Sequence, residues 1–382
     1  MKEGEAKIIS IIENMDDSYG GPSVSLPGLI KALQKNFHIP VKIISVRLSD
    51  NEFNSSLQGS NIEWDNSCRK IGPRKIMFSF KFYRVLKNNI SCNDLVYINN
   101  LWNYVSFCAY LVARKKGAKI VFAPRGSLYE WSLKQRGGLK KIASLVFQKR
   151  FMAKSDMVHV TSESEFEAVQ RYGVDKTKIV LIPHGVDFPA ETDFTSVKRD
   201  RIVKGFELPK KYFLFMSRLH KKKGLDILIE IWNRFRHEYP DWELVVAGPD
   251  YGQYQASDAL STVLYLGSVS GDDKSKVLEN CEFLVLPSYS ENFGVVIAEA
   301  MAFSKPVITS SNTPWEELND KCAGRCVDLN DFESVLKEFL ELDESAMAKM
   351  GGIARKIIQD KYSWGLRSKE FFEKVYLPLT RD

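Results

Sequence analysis

Short runs of β-branched and apolar residues alternate along the chain with longer stretches whose apolar residues recur at helical spacing. The first half contains KIISII, VKIISV, DLVYI, KIVFAP, MVHVTS and KIVLIP, and the second half contains YFLFMS, WELVVAG, VLYLG, FLVLPS, KPVITS and a weaker GRCVDL. Strands separated by helices are typical of βαβ units with parallel sheets. Eleven or twelve strands exceed one ordinary doubly wound sheet, so the pattern predicts two Rossmann-like α/β domains in tandem.

A polar, proline-punctuated stretch at residues 185–211 interrupts this alternation. It predicts an N-terminal domain over residues 1–190, a linker over 191–208, a C-terminal domain over 209–363 and a final helix over 364–382. In doubly wound sheets, ligands bind beyond the carboxyl ends of the strands, so two facing domains offer a central cleft.

Composition agrees with a folded protein of two domains. The chain has 382 residues, more than one hydrophobic core usually supports, and 44% of them are hydrophobic while 27% are charged. Its six cysteines lack zinc-site spacing and are too sparse for a disulfide framework. We therefore expect free thiols in a reducing compartment and no structural metal.

Targeting segments and membrane spans are not expected. The apolar run at residues 8–12 is too short for a signal peptide. Residues 95–113 nearly reach the length of a transmembrane helix, but their three asparagines would be costly in hydrocarbon. A strand, a polar turn and a helix ending near Lys115 explain the segment better, and we predict a soluble, cytoplasmic protein.

Two glutamates frame an apolar segment in PSYSENFGVVIAEAMAFSKPVITS. A helix is predicted from Phe293 or Gly294 to about Phe303, which places Glu291 just before its start and Glu299 about one and a half turns inside. A helix start offers free N–H groups and partial positive charge to an anion, and a glycine there allows close approach. The arrangement suits a nucleoside diphosphate sugar, although an N-terminal cap at Glu291 and a surface Glu299 would give the same pattern.

A basic turn follows the strand FLFMS at the start of the second half. Arg218 lies at the carboxyl end of this strand, and Lys223 and Gly224 open the next helix. A guanidinium and an ammonium at this edge suit diphosphate oxygens. A solvated turn is the alternative, and it is the better account of Lys221 and Lys222.

A glycine pair, Gly20 and Gly21, follows the first strand in SYGGPSVSL and precedes a predicted helix. A glycine loop at a helix start is another geometry that accepts anions, although this one does not match GxGxxG.

Taken together, SRLHKKKG and ENFGVVIAEAMA followed by KPVI resemble glycosyltransferase family 4, retaining enzymes of the two-domain GT-B fold that use nucleotide-activated sugars. The spacing of the two glutamates, with seven intervening residues, matches the family, as does the Arg–Lys spacing. The resemblance is strong over residues 209–320 and weaker elsewhere, where it includes the glycine pair and IPHGVD.

The resemblance implies that the C-terminal domain binds the donor and the N-terminal domain binds the acceptor. Arg218 and Lys223 would hold the diphosphate, Glu291 would contact the transferred sugar, and Glu299 would bind the ribose hydroxyls. The loop 266–269 would border the base, a glycine of the first loop would close over the phosphates, and the final helix would cross back to the N-terminal domain. The implied donor-side residues are Gly20, Gly21, Arg218, Lys223, Leu266, Val269, Glu291, Asn292, Phe293, Gly294, Val295 and Glu299, with Glu291, Arg218 and Lys223 as catalytic candidates.

The acceptor side departs from the family pattern. His184 stands where the family often has asparagine, and Tyr97, Asn99 and Arg125 occupy segments in which histidines are frequent. Asn99 and Arg125 are the acceptor-side candidates. Arg125 would bind an anionic acceptor or the leaving phosphate, or it packs in its turn.

Two stretches of the first half are basic, between Asn66 and Asn93 and between Trp131 and Ser155, with seven Lys or Arg and no acid in each. A helix is predicted to start after Pro73 in the first stretch. Basic amphipathic surfaces attract anionic headgroups, so both stretches are candidates for peripheral contact with the inner face of the cell membrane. Ordinary domain helices with solvated lysines are the alternative.

The implied activity is a retaining, hexosyltransferase-type transfer from a nucleoside diphosphate sugar to a hydroxyl of a glycan or polyprenyl-linked acceptor, in the assembly of surface polysaccharide or lipopolysaccharide. No Asp-x-Asp motif occurs, and we expect neither metal nor cofactor, because Arg218, Lys223 and the helix start can stabilise the leaving diphosphate. Alternatives are a GT-B sugar-nucleotide epimerase or phosphorylase, or a non-catalytic module that binds polyanions. No pattern typical of nucleic-acid binding is present in the sequence.

Overall fold

The chain folds as two compact units. The computed structural model describes residues 6–16, 21–48, 54, 57, 60–71, 77–129, 132–133, 147–189, 200–252, 254 and 258–381. The first unit comprises Met1–Gly185 and Trp364–Asp382, and the second comprises Val186–Ser363. The boundary between the units therefore follows Gly185, slightly before the predicted end of the N-terminal domain at residue 190.

The first unit contains a seven-stranded parallel sheet. Its strands are β1 (Ile8–Ile11), β2 (Val41–Arg47), β3 (Glu63–Arg69), β4 (Leu95–Asn99), β5 (Lys119–Ala123), β6 (Met157–Val160) and β7 (Ile179–Leu181). The order β3-β2-β1-β4-β5-β6-β7 reverses direction between β1 and β4. Six strands are those predicted. The edge strand β3 is additional, and it escaped the hydrophobic pattern because only Cys68 in it is buried.

The described helices of the first unit include α1 (Gly21–Phe37), α2 (Phe80–Asn89), α3 (Tyr104–Lys116), α4 (Lys149–Ala153) and α5 (Glu163–Arg171). The α3 helix begins where the Asn103 side chain accepts from the Ser106 N–H, and it ends at Gly117, whose φ of 75° is left-handed. Residues 95–113 thus form a strand, a polar turn and a helix, as predicted. None of the described helices is both long and apolar enough to span a membrane.

The C-terminal helix packs on the first unit, in agreement with the expectation that it crosses back. It runs through Trp364–Phe371, a π-helical turn at Phe372–Tyr376, and Leu377–Thr380. The Phe372 ring stacks on Phe37 with centroids 4.1 Å apart. The Trp364 ring lies against Gly28 and Gly185, where an added Cβ would come within 2.4 Å of it.

The second unit contains a six-stranded parallel sheet. Its strands are β10 (Tyr212–Met216), β11 (Glu243–Ala247), β12 (Leu264–Tyr265), β13 (Phe283–Leu286), β14 (Val307–Ser310) and β15 (Gly324–Val327), all of them predicted. Their order in the sheet is β12-β11-β10-β13-β14-β15. Its helices include α6 (Leu225–Phe235), α7 (Gly271–Asn280), α8 (Val295–Ala302), α9 (Glu317–Asp320), α10 (Phe332–Leu340) and α11 (Glu344–Lys361).

A small hairpin occupies part of the predicted linker. Its strands, β8 (Ile202–Val203) and β9 (Phe206–Glu207), pair antiparallel. Val203 and Leu208 are buried in the core of the second unit, which explains why residues 200–208 belong to this unit. Residues 191–199 lie outside the described part of the chain.

All six cysteines lie within the described residues, none of them forms a disulfide there, and four are buried. This agrees with the prediction that the chain has no disulfide framework.

Candidate functional site

A glycine, Gly294, precedes the first residue of α8 in the second unit and lies close to Glu291. Gly294 has a left-handed φ of 76°, and a Cβ there would lie 2.9 Å from the Ile297 side chain and 3.2 Å from Glu291 Cγ. The helix therefore starts at Val295, within two residues of the predicted start. Glu291 lies in the loop before it and Glu299 lies inside it, as the sequence indicated.

Lys223 and Glu291 form an ion pair between side chains that are only 14% and 13% exposed. Burial by itself raises the pKa of Glu291, but the charges of Lys223 and Lys222, with hydrogen bonds from Lys223 and the Asn292 N–H, hold the pKa below its usual value. Glu291 is therefore an anion fixed among cations. The sequence analysis assigned Lys223 to diphosphate binding and did not predict this contact with Glu291.

The loop after β13 rests directly on the basic turn, which explains how these side chains meet. Lys221–Lys223 form a 3₁₀ turn, and Gly224 follows with a left-handed φ of 72°. The Tyr289 N–H donates to the Lys222 carbonyl over 2.8 Å. A Cβ at Gly224 would lie 2.0 Å from the Pro287 carbonyl oxygen, so only glycine fits between the two loops.

The burial of Lys222 contradicts one expectation from the sequence. Lys221 is exposed, but Lys222, interpreted from the sequence as part of a solvated turn, is partly buried. Burial, together with the charges of Lys223 and Arg218, lowers the pKa of Lys222 to about 8, although Glu291 acts in the opposite direction. The amphipathic pattern gave no sign of this, because the loop after β13 that contacts Lys222, through the Tyr289 N–H, is distant in sequence.

Nucleoside diphosphate affinity is expected to fall as pH rises above about 8, by up to about tenfold per unit, because Lys222 loses its proton in the free protein. A bound diphosphate favours the protonated lysine, so binding takes up protons in this range. Isothermal titration between pH 7 and 9.5, where the diphosphate is already ionised, measures the effect. Lys222→Met should bind the nucleoside diphosphate with little pH dependence. A wild-type profile that is equally flat would contradict an effect of Lys222 on this affinity.

Glu299 pairs with a lysine that the sequence analysis did not single out. The Lys274 Nζ, from α7, lies 2.5 Å from Glu299 Oε1, and the two side chains are 26% and 18% exposed. Glu299 is therefore not an ordinary surface residue. The only sequence signal for Lys274 was its place in the helix that follows YLGSV.

The loop predicted to border the base, 266–269, follows β12. Leu266 is buried and Val269 is partly buried. The Gly248 N–H donates to the Gly267 carbonyl over 2.8 Å, and Lys204 donates to the Ser268 carbonyl. These bonds fix the backbone of the loop.

Other donor-side candidates lie around the same two loops. Arg218 is exposed and follows β10, and its charge lowers the pKa of both His220 and Lys222, after burial as the larger cause. Phe293 is buried against Trp315, with ring centroids 5.2 Å apart, and Asn292 and Val295 are partly buried. The second unit thus brings Lys223, Glu291 and the start of α8 together, and Arg218 lies near enough to Lys222 for its charge to act there.

The first unit holds the remaining candidates. Gly21 is the first residue of α1, is exposed, and has open space where a Cβ would stand. Gly20 lies outside the described residues. The predicted role of these glycines over the phosphates, and the predicted cleft, stay predictions.

Asn99 and Arg125 contact each other in the first unit. Asn99 ends β4, and its Oδ1 accepts from Arg125 Nε over 3.2 Å and from Nη2 over 3.0 Å. Arg125 Nη2 also donates to the Tyr97 hydroxyl over 3.0 Å, and Nη1 lies 3.2 Å from His184 Nε2. The four departures from the family pattern therefore form one cluster.

His159 completes this cluster and was not predicted. Its Nε2–H donates to the Ile182 carbonyl over 2.8 Å, so Nδ1 accepts from the Tyr97 hydroxyl over 2.7 Å. Burial, then the charge of Arg125, lowers the pKa of His159 to about 3, and the ring is neutral. The same two causes, with His159, hold the pKa of His184 well below its usual value.

Two family models match consecutive parts of the chain. The model for glycosyltransferase family 4 matches residues 19–188, and the model for glycosyl transferases group 1 matches residues 196–356. Together they cover both units. The chain belongs to the group 1 glycosyltransferases of family 4 type.

Curated relatives of the family match over part of their length. A phosphatidyl-myo-inositol mannosyltransferase of Mycolicibacterium smegmatis is 26% identical over 204 residues, which are 52% of this chain and 51% of that protein. The O-antigen chain mannosyltransferase C of Escherichia coli is 26% identical over 226 residues, 56% of this chain and 59% of that protein. The chain thus spans between half and three fifths of the length of these relatives.

Solved structures match over nearly the whole chain. Anabaena Alr3699/HepE in complex with UDP-glucose has a TM-score of 0.76 at 16% identity, covering 97% of this chain and 99% of that chain. WaaG, a glycosyltransferase involved in lipopolysaccharide biosynthesis, has a TM-score of 0.69 at 15% identity, covering 98% and 100%. The predicted fold, two Rossmann-like domains of the GT-B type, is confirmed.

Proposed function

We propose that this chain transfers a sugar from a nucleoside diphosphate sugar to a hydroxyl of a glycan or lipid-linked glycan, with retention of anomeric configuration and without a metal. The observation that carries the proposal is the contact of Lys223 with Glu291 at the glycine-opened start of α8. The family assignment supports the activity, and the relatives' names, which include two mannosyltransferases, support a hexose as the sugar.

The charges around this contact favour a diphosphate ligand. The charged groups that shift the pKa of Lys222 are Glu291, Lys223 and Arg218, so three cations, Lys222 among them, and one carboxylate lie close enough to act on one another. The backbone N–H groups at the start of α8 add partial positive charge at the same place. A ligand with at least two negative charges would offset this excess, and a diphosphate supplies them.

Transfer requires the bond between the sugar and the diphosphate to break. Negative charge then grows on the diphosphate oxygen that leaves, and donors already fixed toward it stabilise the transition state more than the ground state. Arg218, Lys223 and the start of α8 would supply these donors. Glu291, held ionised by its neighbours, would accept hydroxyls of the transferred sugar, and Glu299 would accept those of the ribose.

We infer retention by front-face attack, in which the acceptor hydroxyl approaches from the side that the diphosphate leaves. The departing diphosphate would take the proton of that hydroxyl, so no protein nucleophile is needed. The product anomer, determined by NMR of the transferred sugar, tests this step, and an inverted product would contradict it.

The proposal is tested by a thermal-shift screen of UDP, GDP, ADP and their sugars. One nucleoside diphosphate at about 100 times its Kd should stabilise the protein by about 2.7 kcal/mol, which raises Tm by about 5 °C. Arg218→Met should lose most of this shift, with Arg234→Met, exposed on α6, as the control. No shift with any of these nucleotides would contradict the proposal, and turnover lost in EDTA would contradict metal independence.

The two rival activities differ in what they consume. An epimerase would convert the sugar nucleotide without an acceptor, and a phosphorylase would require free phosphate. Donor consumption measured with and without glycan acceptors, and with and without phosphate, separates them from a transferase.

We also propose peripheral membrane contact through α2, which would bring a lipid-linked acceptor to the first unit. Lys81, Arg84 and Lys87 are exposed on this helix. Phe80 is 75% exposed and Tyr83 is 40% exposed beside them. Aromatic rings at lipid headgroups with basic residues around them are typical of interfacial helices. Most of the second basic stretch, 134–146, lies outside the described residues.

Co-sedimentation with vesicles tests this contact. Binding should be stronger to vesicles with anionic lipid than to neutral ones, and the double variant Phe80→Ser, Lys81→Glu should reduce it about tenfold or more, since each basic residue near such a surface contributes about 1 kcal/mol. Equal recovery on both kinds of vesicle would contradict the proposal. Lys361→Glu, exposed in the second unit, is the control.

A further inference from the structure

Arg125 lies at the edge of the first sheet where ligands usually bind. It follows β5 by two residues, and its guanidinium contacts Asn99 at the end of β4. The neighbouring strand β1 is where the strand order reverses. In doubly wound sheets, the crevice beyond the carboxyl ends of the strands at this reversal is the usual ligand site.

The partners of Arg125 are all neutral. Asn99, Tyr97 and His184 hold its side chain, and they are at most 8% exposed. The nearby buried carboxylate of Glu165 is engaged elsewhere, because it accepts from the Gly126 N–H over 2.6 Å and from the Thr161 N–H over 2.9 Å. Within the described residues, no carboxylate pairs with Arg125.

The guanidinium also retains a donor. Nη1 contacts only His184, through both ring nitrogens, and a neutral imidazole has one nitrogen that can accept. Because Nη1 carries two N–H groups, at least one has no acceptor among the described residues. A partly buried cation with neutral partners and a remaining donor is suited to an oxyanion.

Backbone strain is concentrated at the same edge. Asn100, Trp102 and Arg125 have left-handed φ values of 70°, 69° and 54°, although none of them is glycine. Such conformations cost about 1–3 kcal/mol each and cluster at ligand sites.

We propose that Arg125 binds an oxyanion, a phosphate or carboxylate, carried by the acceptor. The acceptor would then be a hydroxyl compound that also carries an acidic group, for example a sugar phosphate, a polyol phosphate or a uronic acid. This inference rests on the proposed function only in identifying the ligand as the acceptor. The anion site itself requires only residues of the first unit.

The test is isothermal titration of the full chain with glycerol 3-phosphate, glycerate and glycerol, which share hydroxyls and differ in charge. The protein is first saturated with the nucleoside diphosphate that stabilises it most, so that the second unit's cations are occupied. We expect binding of one or both anions, which identifies phosphate or carboxylate, and at least tenfold weaker binding of glycerol. Arg125→Met should weaken anion binding at least tenfold, Arg125→Lys should weaken it less, and Arg114→Met, exposed on α3, should leave it unchanged.

Equal binding of glycerol and both anions to the wild-type protein overturns the proposal without any variant. Full anion affinity in folded Arg125→Met also overturns it, and a lower Tm without loss of anion affinity would show that Arg125 only braces its turn. Failure of the nucleotides to bind would instead contradict the proposed function, because the two ligands are measured separately.

Discussion

Replacing Glu291 with alanine or glutamine is expected to lower turnover by about 10²–10³-fold or more while the nucleoside diphosphate still binds. Glu291 is a mostly buried anion that pairs with Lys223, and in the proposed mechanism it contacts the sugar and not the phosphates. Removing its charge leaves the surrounding cations in excess, so affinity for the diphosphate itself should be unchanged or higher. Steady-state transfer assays and titration with the nucleotide measure the two effects separately.

Glu243→Gln is the matched control, because this glutamate is exposed at the start of β11 in the same unit. Its turnover should equal that of the wild type. Unchanged turnover in Glu291→Ala, measured with the true donor, would contradict the role of Glu291. Loss of nucleotide binding in a folded Glu291→Gln protein would show that the residue positions the diphosphate site instead.

Gly224→Ala should destabilise the second unit by about 3–5 kcal/mol, a loss at the extreme of single substitutions. The new methyl group would lie 2.0 Å from the Pro287 carbonyl oxygen, in addition to the strain of a left-handed φ of 72°. The basic turn and the loop that carries Glu291 would then have to separate. We therefore expect Tm to fall by about 10 °C and nucleotide affinity to fall with it.

Gly205→Ala separates the clash from the backbone strain. Gly205 has a left-handed φ of 80°, and nothing lies within 4 Å of an added Cβ. This variant should lose only about 1 kcal/mol, the cost of a left-handed conformation for alanine. Both losses are measured by thermal denaturation. Equal losses of stability in the two variants would show that the clash with Pro287 does not contribute to the loss in Gly224→Ala.

The alternation of apolar runs determined the two sheets. Every strand predicted from it is present, because buried parallel strands are continuous apolar runs. The strands that it missed are β3, a polar strand in which only Cys68 is buried, and the hairpin strands β8 and β9, which are two residues long and too short to show a period. The sequence alone therefore determined the fold class, the start of α8 to within two residues, the positions of Arg218, Lys223 and Glu291 at strand and helix ends, and that of Glu299 inside α8.

Only the tertiary structure decided which side chains meet. Lys223 and Glu291 are 68 residues apart in sequence, and Arg125 and His184 are 59 apart. Neither spacing follows a helical or strand period. Lys222 lies in a turn that the sequence analysis interpreted as solvated, and Lys274 was not singled out; the groups that act on them come from other elements of the second unit. Pairing and burial depend on how loops from different strands pack at one edge of a sheet, and local periodicity contains no information about that packing.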